Sequence, residues 1–307
     1  MQRSSFTPHG RHAATLLTAA LCSGAALLGL APPVHADAPD WQPFVWADAE
    51  VVPGAGKVKA GILMPITVDG VACWGQLDTG APAGLIWTRP AGTGPADRTA
   101  VVEVGGRRRA TQASAAQLVG LAGGKCKAEM IVTLGNGFFD DGTLTLDLKG
   151  SRFRFTAASL LGDDPRARPF DYARWSGGEG GHIVVQVGLP DGQRAHAMLD
   201  TGAASFGLTT LAPADWDGLT NGVPLRASPT VPSFTANSWD KPITCFTTVA
   251  PGTLDIGPGL SVPQFSVSYC APPFQPGQKL AGVLGLRHLN DRVVTIDYRA
   301  RRWRIGD

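Results

Sequence analysis

Apolar and polar residues alternate with a period of two in several stretches of this 307-residue chain, the pattern of a strand with one buried face. Ile62 to Val68 and Val71 to Leu77 alternate on either side of Asp69-Gly70. Ile183 to Val187 and Arg194 to Leu199 do so around Asp191-Gly192. Asp-Gly between two apolar stretches predicts a tight hairpin, because the turn needs positive φ. The alternation returns at Leu144, Leu146, Leu148 and at Val294, Ile296, Tyr298. Long helical patterns are nearly absent after the first thirty-odd residues, and Leu286 to Asp291 is the one short helix expected. The pattern predicts an all-β protein.

These strands belong to an internal repeat. Each hairpin ends on the same pentapeptide, Leu77-Asp78-Thr79-Gly80-Ala81 and Leu199-Asp200-Thr201-Gly202-Ala203. Downstream, Leu134-Gly135 matches Leu284-Gly285, Asp147 matches Asp297, and Arg152-Phe153-Arg154-Phe155 matches Arg302-Trp303-Arg304-Ile305. The motif offset is 122 and the block offset 150, so the second copy carries 28 more residues between its two parts. Two long copies indicate two related β-lobes. A chain that brings two such carboxyls together cannot ionise both, so the pair retains one proton and offers an acid beside a base.

With these motifs, and with Gly282-Val283-Leu284-Gly285 ahead of the last strands, the chain resembles the retropepsin-like and pepsin-like aspartic proteases over residues 60–155 and 181–307. The resemblance implies two acid-protease-type β-barrel lobes in one chain, with an active-site cleft between them that holds a polypeptide substrate. It implies Asp78 and Asp200 as the catalytic dyad. Thr79 and Thr201 would cross-link the motif loops, and Gly80 and Gly202 would let backbone approach the carboxylates. No cofactor or metal is required. Ala81 and Ala203 stand where pepsins carry a hydroxyl residue, which implies raised carboxyl pKa values and a mildly acidic optimum. None of Tyr172, Tyr269 and Tyr298 falls in the flap region of the first lobe. Val101 to Ala110, with Gly105-Gly106 at its turn, is the flap candidate. The alternative is a non-catalytic, peptide-binding version of the same fold in the periplasm.

Composition narrows the setting. Arg3 and Arg11, the apolar stretch Thr15 to Ala31 and Val34-His35-Ala36 make residues 1–36 a signal peptide for export to the periplasm or beyond. Without Arg3 and Arg11, 25 of the 27 basic residues face 25 acidic ones, so net charge predicts neither nucleic acid nor stable membrane association. Arg107-Arg108-Arg109 is expected as a solvated hairpin tip. Cys73, Cys126, Cys245 and Cys270 favour disulfides in an exported chain, with three connectivities open; folding of each lobe by itself would pair Cys73 with Cys126 and Cys245 with Cys270.

After the leader only His182, His196 and His288 remain, with no Gly-x-Ser-x-Gly elbow and no zinc-ligand spacing, which disfavours serine-hydrolase and zinc chemistry. His196 is expected as a strand histidine on the face of Asp200. Trp74, Trp87, Trp175 and Trp303 are expected in the core or between lobes. The boundaries read as an acidic extension over 37–60 with no basic inhibitory segment, a first lobe over 61–156, a connector over 157–180 and a second lobe over 181–307. A monomer follows if the lobes pair within the chain.

Overall fold

The computed structural model describes residues 40–307 apart from 93–97, 122, 175, 177, 239–240, 258 and 272–278. The expected leader and Trp175 lie outside the described residues. The first half of the fold contains strands β1 (Gln42–Pro43), β2 (Val45–Ala49), β3 (Val58–Val68), β4 (Val71–Leu77), β5 (Leu85–Trp87), β6 (Arg98–Val104), β7 (Arg107–Ala113), β8 (Val132–Leu134), β9 (Thr143–Asp147) and β10 (Arg152–Thr156). The second contains β11 (Arg168–Pro169), β12 (Asp171–Arg174), β13 (Gly181–Gly188), β14 (Arg194–Leu199), β15 (Leu208–Thr210), β16 (Ser233–Ser238), β17 (Lys241–Val249), β18 (Thr253–Gly257), β19 (Leu260–Pro263), β20 (Ser266–Cys270), β21 (Gly282–Leu284), β22 (Val293–Asp297) and β23 (Arg302–Gly306). Helices are short: α1 (Ala115–Leu118), α2 (Asn136–Phe139) and α3 (Pro213–Thr220). The protein is all-β, built from three barrel-like sheets.

One sheet belongs to each half, and a six-stranded sheet in the order β1-β10-β9-β22-β23-β11 joins them. Its centre is antiparallel β9 and β22, where Thr145 faces Thr295. Those two residues are 150 apart, the offset of the downstream repeat, so a pseudo-twofold axis passes between them. The alternation at Leu144, Leu146 and Leu148 predicts one buried face, yet every residue of β9 is buried. The reason is position: β9 lies at the seam, covered on both faces. On the facing strand β22 the buried Asp297 is satisfied internally. Asp297 accepts hydrogen bonds from Ser159 Oγ (2.7 Å), Leu160 N (2.7 Å), Leu161 N (2.8 Å) and Ala300 N (3.0 Å).

The Asp-Gly hairpins form where expected, with different turns. Val68 pairs with Val71 across a two-residue turn in which Asp69 and Gly70 both have positive φ. Around Asp191-Gly192 the loop is wider, and only Gly192 has positive φ. The helix expected over Leu286 to Asp291 is instead a run of turns, closed by Leu289 N to Leu286 O (2.8 Å) and Arg292 N to Leu289 O (2.9 Å).

Each half starts earlier than the pentapeptide repeat suggests. Pro43-Phe44-x-Trp46-Ala47 recurs as Pro169-Phe170-x-Tyr172-Ala173, an offset of 126. β1 pairs with β10 and β11 with β23 in equivalent register, and Phe44 and Phe170 are both buried. β2 then pairs with β3 as β12 pairs with β13. Much of the extension and of the connector is thus one more repeated unit.

Both disulfides lie within a half. Cys73–Cys126 closes a separation of 53 residues, and Cys245–Cys270 joins facing residues of β17 and β20. Such bonds suit an oxidising, exported environment. Among the described residues no helix is long and apolar enough to cross a membrane.

Burial opposes ionisation of Asp297, but the N–H donors of Ala300 and Leu161, the Ser159 hydroxyl and Leu160 N–H outweigh it and hold its pKa below the ordinary carboxylate range. A lowered folded pKa gives stability that is present above the unfolded pKa and lost as pH falls through the folded one. Asp297→Ala should cost about 2 to 4 kcal/mol near neutral pH, because three backbone N–H groups lose their acceptor. Urea unfolding measures this, and the gap between variant and wild type should narrow as pH falls below about 4.

Candidate active site

β4 and β14 each run into the molecule on a fully buried leucine, Leu77 and Leu199, and turn at the aspartate that follows. Leu77 pairs in parallel with Leu134 on β8, and Leu199 with Leu284 on β21. The same two partners then hold the aspartate backbone: Asp78 N donates to Leu134 O (3.0 Å) and Asp200 N to Leu284 O (2.9 Å). Here the two blocks of the sequence repeat meet.

Across the axis the threonines interlock. Thr79 N donates to Thr201 Oγ1 (3.0 Å), and Thr201 N donates to Thr79 Oγ1 (3.0 Å). Each hydroxyl passes its own proton to the opposite strand, Thr79 to Leu199 O (2.9 Å) and Thr201 to Leu77 O (3.0 Å). Both threonines are buried, so these four bonds have no water to replace them.

The interlock sets each carboxyl on the other motif's glycine. A Cβ on Gly80 would lie 2.6 Å from Asp200 Cγ, and one on Gly202 would lie 2.7 Å from Asp78 Cγ. Only glycine permits that approach. Gly80 N donates to Asp78 Oδ1 (2.8 Å), and Gly202 N (2.7 Å) and Ala203 N (3.2 Å) donate to Asp200 Oδ1. The two carboxyl groups are thereby brought close enough for each to act on the ionisation of the other. All six residues singled out in the sequence therefore meet at one point.

Burial raises the pKa of Asp78, opposed by its hydrogen bonds from Asp200, Gly80 and Ala81 and by His182. Burial raises Asp200 as well, and the neighbouring Asp78 charge adds to it against the N–H groups of Gly202 and Ala203. The pair holds a proton to higher pH than an ordinary carboxylate does.

Three neighbours carried no role in the sequence reading. His182, on β13, lies beside the dyad; burial lowers its pKa, against the Asp78 charge and the Gly80 backbone, which raise it. Asn136, fully buried at the start of α2, donates from Nδ2 to Thr79 O (2.6 Å) and to Gly181 O (2.9 Å). Its Oδ1 accepts from Tyr298 Oη (2.9 Å). The block offset puts Leu286 opposite Asn136 and Leu148 opposite Tyr298. A buried repeat position that turns polar in one copy was the available signal.

Other expectations need correction. Of the three arginines only Arg108 is a solvated tip residue. Arg107 pairs with Asp141 and stacks over Phe155 (5.0 Å), and Arg109 bridges Glu179 (2.7 Å) and Asp140 (3.4 Å). The turn of the flap candidate does not lie over the dyad: a Cβ on Gly105 would sit 3.0 Å from Phe153, so this turn is seated on the six-stranded sheet. Trp303 is buried and Trp87 donates to Gln112 O (3.1 Å), but Trp74 is exposed. His196 is an exposed β14 residue facing Gln186, and His288 accepts from Ser266 N (3.0 Å).

No known protein family matches the chain, and neither does any curated protein. What the site can do follows from its own geometry.

A raised folded pKa contributes stability below the unfolded pKa that is lost as pH rises through the folded value. The dyad should therefore cost stability at neutral pH. Asp200→Asn should raise the melting temperature near pH 7, and the gain should shrink towards zero at about pH 4. An equal shift at both pH values would contradict a shared-proton pair.

Proposed function

We propose that this chain is an exported endopeptidase of the retropepsin-like or pepsin-like aspartic class, its two halves acting as lobes that bind polypeptide between them. One observation carries the reading: two carboxyl groups in mutual contact at a pseudo-twofold axis, each seated on the other's glycine. A binding surface gains nothing from pressing two acids together, since the contact opposes folding at neutral pH.

In this mechanism a water held by both carboxyls loses its proton to the ionised member as its oxygen attacks the scissile carbonyl. The protonated member hydrogen-bonds the developing oxyanion, and a proton then passes to the leaving nitrogen. The pair acts as a unit, so its charge and not that of one aspartate governs the rate. Gly80 N–H and Gly202 N–H keep both carboxyls oriented, and the threonine interlock keeps the loops from sliding. His182 lies beside Asp78, with its pKa held down by burial. The disulfides support export, to the periplasm or outside the cell.

Cleavage of a peptide library by the mature chain tests the proposal. Asp78→Asn and Asp200→Asn should each remove turnover, by at least about a thousandfold, while melting remains cooperative. With both carboxyl pKa values raised, both limbs of the kcat/KM profile should move up in pH and give a mildly acidic maximum. Full turnover by either variant excludes the dyad. Peptide binding without turnover in wild type makes the protein a non-catalytic binder.

A further inference from the structure

A cavity of about 460 Å3 lies between the loop that joins β2 to β3 and the turn that follows the second motif. Lys57, Lys59, Arg287, Asn290, Ser205 and Asp48 line it; neither Asp78 nor Asp200 does. Three cations face one acid. Among the described residues none of these three cations makes an ion pair. Lys59 is half-buried, with Nζ 4.5 Å from the centre of the Trp46 ring. Asn290 has its Oδ1 buried without a hydrogen-bond partner, and a flip of the amide would offer Nδ2 there instead.

The pseudo-twofold axis supplies a control for this corner. The motif offset carries Ala83 to Ser205, and the block offset carries Gly137 to Arg287 and Asp140 to Asn290. Trp46 pairs with Ile62 as Tyr172 pairs with Ile183. Past a bulge in the first of these pairings, Asp48 pairs with Lys59 as Arg174 pairs with Gly181, so Lys59 stands at the place of Gly181, next to Gly180. The first-half corner is closed by the chain itself. Gly180 packs so tightly that a Cβ there would collide with the Pro82 carbonyl and lie 3.0 Å from Gly137 Cα. Beside it, Glu179 and Asp140 bring two carboxylates to Arg109. In the second-half corner Lys59 stands at the Gly181 position, an arginine replaces Gly137, and an amide replaces the Asp140 carboxylate. The chain thus fills one corner with its own carboxylates and leaves the equivalent corner open and cationic.

We propose that this second corner binds a carboxylate group of an acidic peptide segment, which takes the place that Glu179 and Asp140 take in the first corner. The ammonium groups of Lys57 and Lys59 and the guanidinium of Arg287 supply charge-assisted hydrogen bonds, and Asn290 supplies a neutral donor. The site does not depend on what the dyad does.

Titration calorimetry with capped tetraglutamate tests it, in wild type and in an Asp200→Asn background where binding is read apart from cleavage. Tetraglutamate should bind at low salt and weaken as salt rises, and capped tetraglutamine should give no heat. Lys59→Gln and Arg287→Gln should each lower affinity about tenfold, the loss of one charge-assisted bond. Arg287 is exposed, so its variant should fold even if loss of the Lys59–Trp46 contact disturbs the other. Lys149→Gln, at the exposed turn between β9 and β10, should leave affinity unchanged. The assignment fails if tetraglutamate does not bind, if it binds the Arg287 variant as it binds wild type, or if inorganic phosphate alone binds.

Discussion

Four hydrogen bonds that Thr79 and Thr201 make across the axis decide the rest of this structure. Each hydroxyl accepts from the partner's N–H and donates to a carbonyl of the partner's strand. No residue within one half can replace these bonds, because the threonines are buried and their partners lie about 120 residues away along the chain. The interlock closes the axis, and only then do the glycines meet the carboxyls. Pressing two acids together in a buried place is unfavourable by itself. The surrounding structure must therefore over-determine the contact, and the six-stranded sheet does so beneath it.

Symmetry organises the molecule, and its breaks show where the two sides differ. Thr145 against Thr295 marks the axis, and the strand pairings repeat around it in register. Near the dyad only the first motif is tied down by the buried amide of Asn136, held in turn by Tyr298. Among the described residues Asp78, and not Asp200, has a histidine beside it. Two chemically identical aspartates thus occupy unlike surroundings. The corners flanking the motifs break symmetry in charge, one closed by internal ion pairs and the other lined by cations that form no ion pair among the described residues.

The strands next to the motifs were legible because their burial is one-sided, and one-sided burial writes itself as alternation. The seam was not: β9 alternates like a surface strand but is covered on both faces, which depends on β22 lying beside it. Leu286 to Asp291 carries apolar spacing that suits a helix, yet its hydrogen bonds close three residues apart and form turns. Arg107 and Arg109 read as solvated because arginine in a hairpin usually is; here Phe138 and Phe155 take the guanidinium faces, and acids from distant loops take the edges. The Pro-Phe repeat at 43 and 169 is too short to stand out in the sequence, though it marks where each half begins.

The repeated pentapeptide and its downstream block determined, from sequence alone, the all-β class, the twofold plan and the six residues of the site. Those properties are local: a strand period, a turn that needs glycine, a motif copied at a constant offset. Tertiary structure alone decided which atoms touch. Contact between Asp78 and Asp200, the recruitment of Asn136, Tyr298 and His182, and the unequal corners arise only when segments a hundred or more residues apart are packed without water between them. The energies of these contacts depend on burial and charge proximity in space, and neither is written in the order of the residues.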